Sequence, residues 1–201
     1  PRIEGGKVNR LAQEDLVRLI EFDGKEWLFY KSFPIHVAFL RGTSADPNGN
    51  ITMERESLVL DNLAMAQAVK NSQGVVIVQV ERIAAAGSLH PRQVVIPGIL
   101  VDCVVVAAPE HHVQTYATAY SPAFAAEIRV PIDGTPPLPL DIRKVIARRA
   151  AYELSPNAVC NLGIGMPEGV AAVAREERLL DYLTLTTEPG VIGGVPASGL
   201  D

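Results

Sequence analysis

The sequence has 201 residues and a formal net charge of −5, with 48% hydrophobic and 20% charged residues. This balance is typical of a soluble globular protein, and a negative charge without a Lys/Arg cluster disfavours a nucleic-acid-binding protein. Apolar runs such as 94–100 and 104–108 are too short to span a bilayer, so no membrane segment is expected. The first ten residues lack the apolar stretch of a signal peptide, which makes the cytoplasm the expected location.

The first part of the chain is predicted to be rich in strands. Two β-prone runs, 16–22 and 26–30, flank an Asp-Gly pair and predict a hairpin, although residues 13–22 also fit a short helix. A third strand is predicted at 35–42, and the Asp-Pro-Asn-Gly cluster that follows it predicts a surface turn.

A helix and two buried strands are predicted next. Residues 57–72 place apolar side chains at helical spacing, as in a helix that packs on a sheet. The β-branched runs at 74–83 and 101–108 are typical of buried strands. Because helices and strands alternate here, the sequence predicts an α/β fold with a mostly parallel sheet.

The segment from about residue 108 to residue 139 shows no sustained period and is rich in proline near its end, which predicts a linker between domains. Asp141 is then a predicted N-cap of a helix. The apolar face of that helix is expected to consist of Ile142, Val145, Ile146 and Ala150.

A strand at 157–165, a helix at 167–180 and a strand at 183–187 complete a β-α-β unit. So small a unit cannot close a core alone, which predicts that the chain is a fragment or needs a partner.

Glu188 follows the last predicted strand and precedes Pro189, so its backbone is expected to be extended. Pro189-Gly190 fits the central positions of a type II turn, and the glycines beyond it leave a loop with little side-chain bulk. A carboxylate at the C-terminal end of a strand, beside such a loop, lies where open α/β sheets bind ligands. Glu188 is therefore either a nucleophile or general base, or an ordinary surface glutamate at a strand end.

A second glycine-rich turn contains Gly163, Gly165 and Gly169 between a strand and a helix. Glu168 occupies the third glycine position of a G-x-G-x-x-G dinucleotide fingerprint, which makes a nicotinamide site a weak interpretation. The alternative is a turn whose backbone N–H groups face an anionic or carbonyl group.

Other candidate sites are weaker. His111-His112 has no carboxylate or cysteine at ligand spacing, so surface or linker histidines are expected and no metal site is predicted. Ser198 is not in a G-x-S-x-G motif and lacks a recognisable His/Asp partner, which disfavours a serine hydrolase. Cys103 and Cys160 lie in apolar segments without C-x-x-C spacing and are expected to be buried free thiols.

The segment TTEPGVIGGVPASGLD resembles the catalytic segment of the family I coenzyme A transferases, specifically the single-chain acetate, propionate and acetoacetate type with an E-P-G-x-x-G-G motif. The succinyl-CoA:3-ketoacid enzymes carry S-E-N-G in this place, so Glu188 matches while Pro189 departs from their pattern. CNLGIGMPEGVA is similar to the family's upstream glycine turn, and residues 40–56 and 81–102 resemble the end of its first domain.

The resemblance implies two open α/β domains with mostly parallel sheets, both incomplete in this chain. Residues 1–115 would be the C-terminal part of the first domain, 116–138 a Pro-rich linker, and 139–201 the N-terminal part of the second domain. It also implies that Glu188 attacks an acyl-CoA thioester and passes through a glutamyl-CoA thioester. Residues expected to line the CoA site are Asn161, Gly163, Gly165, Gly193 and Gly194.

The implied function is an acyl-CoA:carboxylate CoA-transferase for acetyl-, propionyl- or acetoacetyl-CoA, with CoA as substrate and no bound cofactor. The expected partners are acyl-CoA, a short-chain carboxylate and the missing segments of the same protein, in a homo-oligomer. The chain alone is expected to be inactive. The rival hypotheses are a non-catalytic CoA-binding or assembly fragment and, on the glycine turn alone, a nicotinamide oxidoreductase.

Overall fold

The computed structural model describes residues 10–11, 14–131, 136–187 and 189–195. The elements, in chain order, are β1 Val17–Phe22, β2 Lys25–Tyr30, β3 Val37–Arg41, β4 Ser44–Ala45, β5 Ile51–Thr52, α1 Asn62–Asn71, β6 Val75–Val80, β7 Arg82–Ile83, β8 Val94–Ile96, β9 Cys103–Val106, α2 Ile142–Ala151, β10 Ala158–Leu162, α3 Glu168–Glu176 and β11 Leu183–Thr187. The predicted α/β class is confirmed, because most strand pairs within the two central sheets are parallel.

The N-terminal hairpin forms as predicted. Strands β1 and β2 pair antiparallel around Asp23 and Gly24, whose φ angles of 52° and 68° are those of a type I′ turn. The alternative of a short helix at residues 13–22 is wrong, because cross-strand pairing and the Asp-Gly turn together favour the extended chain.

The larger core lies between a parallel sheet and helix α1. Strands β3, β6 and β9 pair in parallel in the order β3-β6-β9, and α1 connects β3 with β6 across one face. Val76, Val78 and Val80 of β6 are fully buried on that face with Ala66 of the helix. A second, mixed sheet of β7, β4, β5 and β8 adds Ile51 and Ile96 to this core.

The opposite face of the parallel sheet is open. Phe39 is 81% exposed there; its register partner is Ile77, which in turn pairs with Cys103. The predicted burial of Cys103 is therefore wrong, while Cys160 is partly buried, and both thiols are free. Parallel sheets are normally covered on both faces, and no described part of the chain supplies the layer that would cover this one.

The second core is formed by helices α2 and α3, which pack against each other, and α3 also contacts strand β10. The helices meet at Gly169, where an added Cβ would lie 2.8 Å from the Cβ of Ala147. Asp141 caps α2 as predicted, accepting the Lys144 N–H at 2.9 Å.

The predicted apolar face of α2 is wrong. Ile142, Val145 and Ile146 are exposed, and the buried face instead carries Lys144, Ala147 and Ala151. The close helix contact requires small side chains, and the buried Lys144 ammonium is neutralised by Glu176, whose Oε2 lies 2.6 Å from Nζ.

The segment between the two cores contains no α-helix or strand among its described residues, but it is held at both ends. The side-chain amide of Gln114 donates a hydrogen bond to the carbonyl of Arg55. The Arg55 guanidinium lies 3.6 Å from the ring centroid of Tyr120. At the other end the Leu138 N–H donates to Glu176 at 2.7 Å. The domain boundaries at 115 and 138 stay a prediction.

None of the helices in the described ranges is long and apolar enough to cross a bilayer.

Candidate functional site

The candidate site lies at the edge where β10 and β11 end. The two strands are parallel, and their last register pair joins Leu162 to Thr187. Gly163 and Glu188 follow these two residues in the sequence, so the chain leaves both strands at the same C-terminal edge. Glu188 itself lies outside the described residues, while Thr187 and Pro189 on either side of it are described.

The chain after Pro189 returns alongside β11. The Thr187 N–H donates to the Val191 carbonyl at 3.0 Å, and the Gly193 N–H donates to the Leu185 carbonyl at 2.7 Å. The Gly190 N–H donates to the Thr187 carbonyl at 3.1 Å, which makes Gly190 the last residue of this turn and not a central one as predicted; its φ angle of 103° is the positive value expected of the glycine. This return places the predicted glycine loop next to the end of β11.

Four predicted site glycines border open space. A Cβ added to Gly163, Gly165, Gly193 or Gly194 would meet no atom within 4 Å, in contrast to the tight contact at Gly169. The last three also have positive φ angles of 93°, 85° and 75°, which favour glycine over any other residue. The turns therefore leave room for a ligand or for another part of a longer chain.

The N–H groups of these glycines differ in availability. Gly165 donates to Oε1 of Glu168 at 2.8 Å, and Gly193 donates to the Leu185 carbonyl. The turn thus faces an anion, as one alternative predicted, but that anion is a side chain of the same turn. Gly163 and Gly194 donate to no acceptor among the described residues, which makes these two N–H groups candidate donors to a ligand.

Two polar side chains, those of Asn161 and Thr187, also lie near this edge. Asn161 is exposed on the face of the strand pair that the helices do not cover, since Leu162 points to the helical core. The hydroxyl oxygen of Thr187, directly before Glu188, is buried and has no hydrogen-bond partner among the described residues. Sequence reasoning missed Thr187, whose only distinction is that a buried oxygen without a partner among the described residues is rare.

A cleft of about 1390 Å³ extends from the two glycine turns. Gly165 and Gly194 line it together with the start of helices α2 and α3 and the Pro-rich segment. Its charged lining residues include Arg129, Arg143 and Arg175. No sequence pattern predicted this cleft, because its walls come from three separate parts of the chain.

The wall of the cleft is stabilised by a buried ion pair. Lys144 donates to Glu176 and to the Leu138 carbonyl, at 2.6 and 2.8 Å. Burial alone raises the pKa of the Glu176 carboxyl, but the hydrogen bonds from Lys144 and from the Leu138 N–H outweigh it and hold that pKa below its ordinary value. Glu176 therefore stays ionised and fixes Lys144 and the end of the Pro-rich segment.

The histidine pair has a different role from the one predicted. His112 is buried, with Nε2 3.2 Å from Oε1 of Glu56, while Nε of Arg41 lies 2.6 Å from the other oxygen of that carboxylate. The prediction of a surface or linker histidine is therefore wrong for His112, which belongs to a polar network at the end of β3. No cluster of His, Cys, Asp and Glu within the described ranges could hold a metal ion. Ser198 lies outside the described residues.

Comparison with known proteins matches residues 4–107 to the family described as Coenzyme A transferase. A caffeate CoA-transferase of Acetobacterium woodii is 55% identical over 98% of this chain, and the acetate CoA-transferase YdiF of Escherichia coli K12 is 44% identical over 100% of it. A crystal structure of the YdiF acyl-CoA transferase of Escherichia coli O157:H7, a thioester complex with CoA, superposes with a TM-score of 0.85 at 42% identity over 98% of this chain.

This chain covers only part of the length of each of these relatives. The chain spans 38% of the length of both curated relatives and 39% of the crystallised protein.

Proposed function

The chain belongs to the coenzyme A transferase family, and we propose that the complete protein moves CoA from a short-chain acyl-CoA to a carboxylate, with Glu188 as the nucleophile. The observation that supports the proposal is the parallel pairing of β10 with β11, because its last register pair, Leu162 and Thr187, immediately precedes Gly163 and Glu188 in the sequence. The open space beside the glycines of the two turns supports it as well.

The first half of the proposed reaction releases the donor acid. A carboxylate oxygen of Glu188 attacks the thioester carbonyl, the C–S bond breaks, and the CoA thiolate leaves a glutamyl–acyl anhydride. The thiolate then attacks the glutamyl carbonyl of this anhydride. The C–O bond breaks on that side, so the donor carboxylate departs and a glutamyl-CoA thioester remains.

The second half reverses these steps with the acceptor. Its carboxylate attacks the glutamyl thioester and expels the thiolate, and the thiolate attacks the acceptor's carbonyl in the new anhydride. This step forms the new acyl-CoA and restores the Glu188 carboxylate. No redox change occurs and no bound cofactor is required.

Each attack creates an oxyanion, and the backbone N–H groups of Gly163 and Gly194 are the proposed donors to it. They are chosen over Gly165 and Gly193 because the latter two already donate to Glu168 and Leu185. Asn161 remains a proposed CoA-contacting residue on the exposed face of β10.

The acyl group is proposed to be acetyl, propionyl or acetoacetyl. The relative named as an acetate CoA-transferase supports this choice. An aromatic carboxylate is the second candidate, because the relative at 55% identity is named as a caffeate CoA-transferase. A cytoplasmic homo-oligomer stays the expectation for the complete protein.

Steady-state kinetics of the complete protein separate an enzyme from a binding or assembly module. We expect ping-pong kinetics with acetyl-CoA and propionate, and exchange of labelled acetate into acetyl-CoA without an acceptor. Glu188→Gln should abolish both. Glu153→Gln is a matched control, since Glu153 is exposed and, among the described residues, pairs with Arg149 alone. Binding of CoA without turnover by the wild type supports the module instead.

A further inference from the structure

We propose that Arg129 and Arg143 bind the phosphate groups of coenzyme A in the cleft that begins at the glycine turns. This inference rests on the proposed function. The cleft combines two features that CoA needs. Gly165 and Gly194, one from each glycine turn, line it, and cationic side chains line it as well. CoA carries its thiol at one end and a diphosphate with a 3′-phosphate at the other.

The basic residues of the cleft fall into two groups. Lys144 is committed to Glu176 and the Leu138 carbonyl, and Arg175 donates to the Pro136 carbonyl at 3.0 Å. Arg129 and Arg143 are exposed and have no hydrogen bond or ion pair with any described residue. These two guanidinium groups are therefore available to an anion.

The acidic residues of the cleft do not cancel these charges. Asp141 accepts the Lys144 backbone N–H, and Glu168 accepts the Gly165 N–H, so each has a partner within its own turn. Guanidinium groups bind phosphate through paired, charge-assisted hydrogen bonds, which makes a polyphosphate a better partner than a single carboxylate.

The size of the cleft favours an extended ligand. Its volume of about 1390 Å³ exceeds what acetate or propionate would fill. Phe124, Ile128 and Met166 also line the cleft and supply apolar surface suited to an adenine and a pantetheine arm. Binding energy at the nucleotide can then hold the thioester against Glu188.

The test uses the complete protein with Arg129→Ala, Arg143→Ala and the double variant. Arg92→Ala is the control, because Arg92 is an exposed arginine outside the cleft. Isothermal titration with CoA and with dephospho-CoA measures binding without any chemistry. Turnover with acetyl-CoA and with acetyl-pantetheine, which lacks the nucleotide, measures how the nucleotide is used.

We expect each single variant to weaken CoA binding about tenfold, as for loss of a charge-assisted hydrogen bond. The advantage of acetyl-CoA over acetyl-pantetheine in kcat/KM should shrink in parallel, and turnover of acetyl-pantetheine should not change. Unchanged CoA affinity in the double variant overturns the proposal, as does a defect confined to the KM of the acceptor acid. If the wild type binds CoA through these arginines but shows no transfer, the proposed function fails and this site stands.

Discussion

The Gly165 N–H donates to Oε1 of Glu168 at 2.8 Å, so the glycine turn is closed by the first residue of the helix that follows it. This bond explains why a glutamate replaces the third glycine of a dinucleotide fingerprint. The Glu168 carboxylate already binds the turn at the start of α3, which argues against the diphosphate of a nicotinamide dinucleotide at this position.

Removing that carboxylate should therefore loosen the turn without touching the chemistry. Glu168→Ala is expected to destabilise the protein by about 1 kcal/mol, as for loss of a helix-start side-chain bond. Glu168→Gln keeps an acceptor oxygen and should lose less. Denaturant unfolding of both variants checks the order. A large loss of kcat with unchanged stability would show that Glu168 acts on the substrate.

The two open N–H groups give a second prediction. Gly163→Pro removes one N–H at a glycine whose φ angle is not positive, and the preceding Leu162 is already extended, as a residue before proline prefers. We expect kcat to fall roughly 100- to 1000-fold, as for loss of one oxyanion donor. Gly163→Ala keeps the N–H and meets open space, so it should retain most activity. Equal activity of the two variants contradicts the assignment.

The contact between helices α2 and α3 gives a third prediction. Gly169→Ala places a methyl group 2.8 Å from the Cβ of Ala147 and should cost about 1–3 kcal/mol of unfolding free energy. Ala147→Gly removes the clash but weakens α2 by about 1 kcal/mol. The double variant should therefore be more stable than the sum of the single effects predicts. Strict additivity in a denaturant-unfolding cycle would mean that the helices do not meet at this point.

Acid sensitivity gives a fourth prediction. The folded-state pKa of Glu176 lies below its ordinary value of 4.5, so its contribution to stability is complete above 4.5 and is lost as the pH falls through the folded-state value. Glu176→Gln should lower stability at neutral pH and flatten the loss of stability in acid. Unfolding midpoints measured from pH 6 downward, in steps, check this prediction. A variant whose acid slope equals that of the wild type rules it out.

Local sequence rules predicted the elements of this fold well. The Asp-Gly turn, the Asp141 cap and the β-branched strands each depend on neighbours in sequence, so their physics can be read from the chain. The position of Glu188 after a strand and of Gly163 after its parallel partner could also be predicted.

Features that depend on packing between distant parts of the chain could not be predicted from the sequence. The buried face of α2 follows from the Ala147–Gly169 contact and the Lys144–Glu176 pair rather than from apolar periodicity. His112 is buried because Glu56 and Arg41 reach it from another part of the chain. Cys103 is exposed because one face of its sheet has no cover within the described residues.

Chemical trapping tests whether Glu188 carries the covalent intermediate. The complete protein is incubated with acetyl-CoA, treated with borohydride to reduce any glutamyl-CoA thioester to an alcohol, and digested for peptide mass mapping. We expect one reduced residue, Glu188, and no reduced residue when acetyl-CoA is omitted. Reduction of a different carboxylate, or of none in protein that turns over acetyl-CoA, rules out Glu188 as the nucleophile.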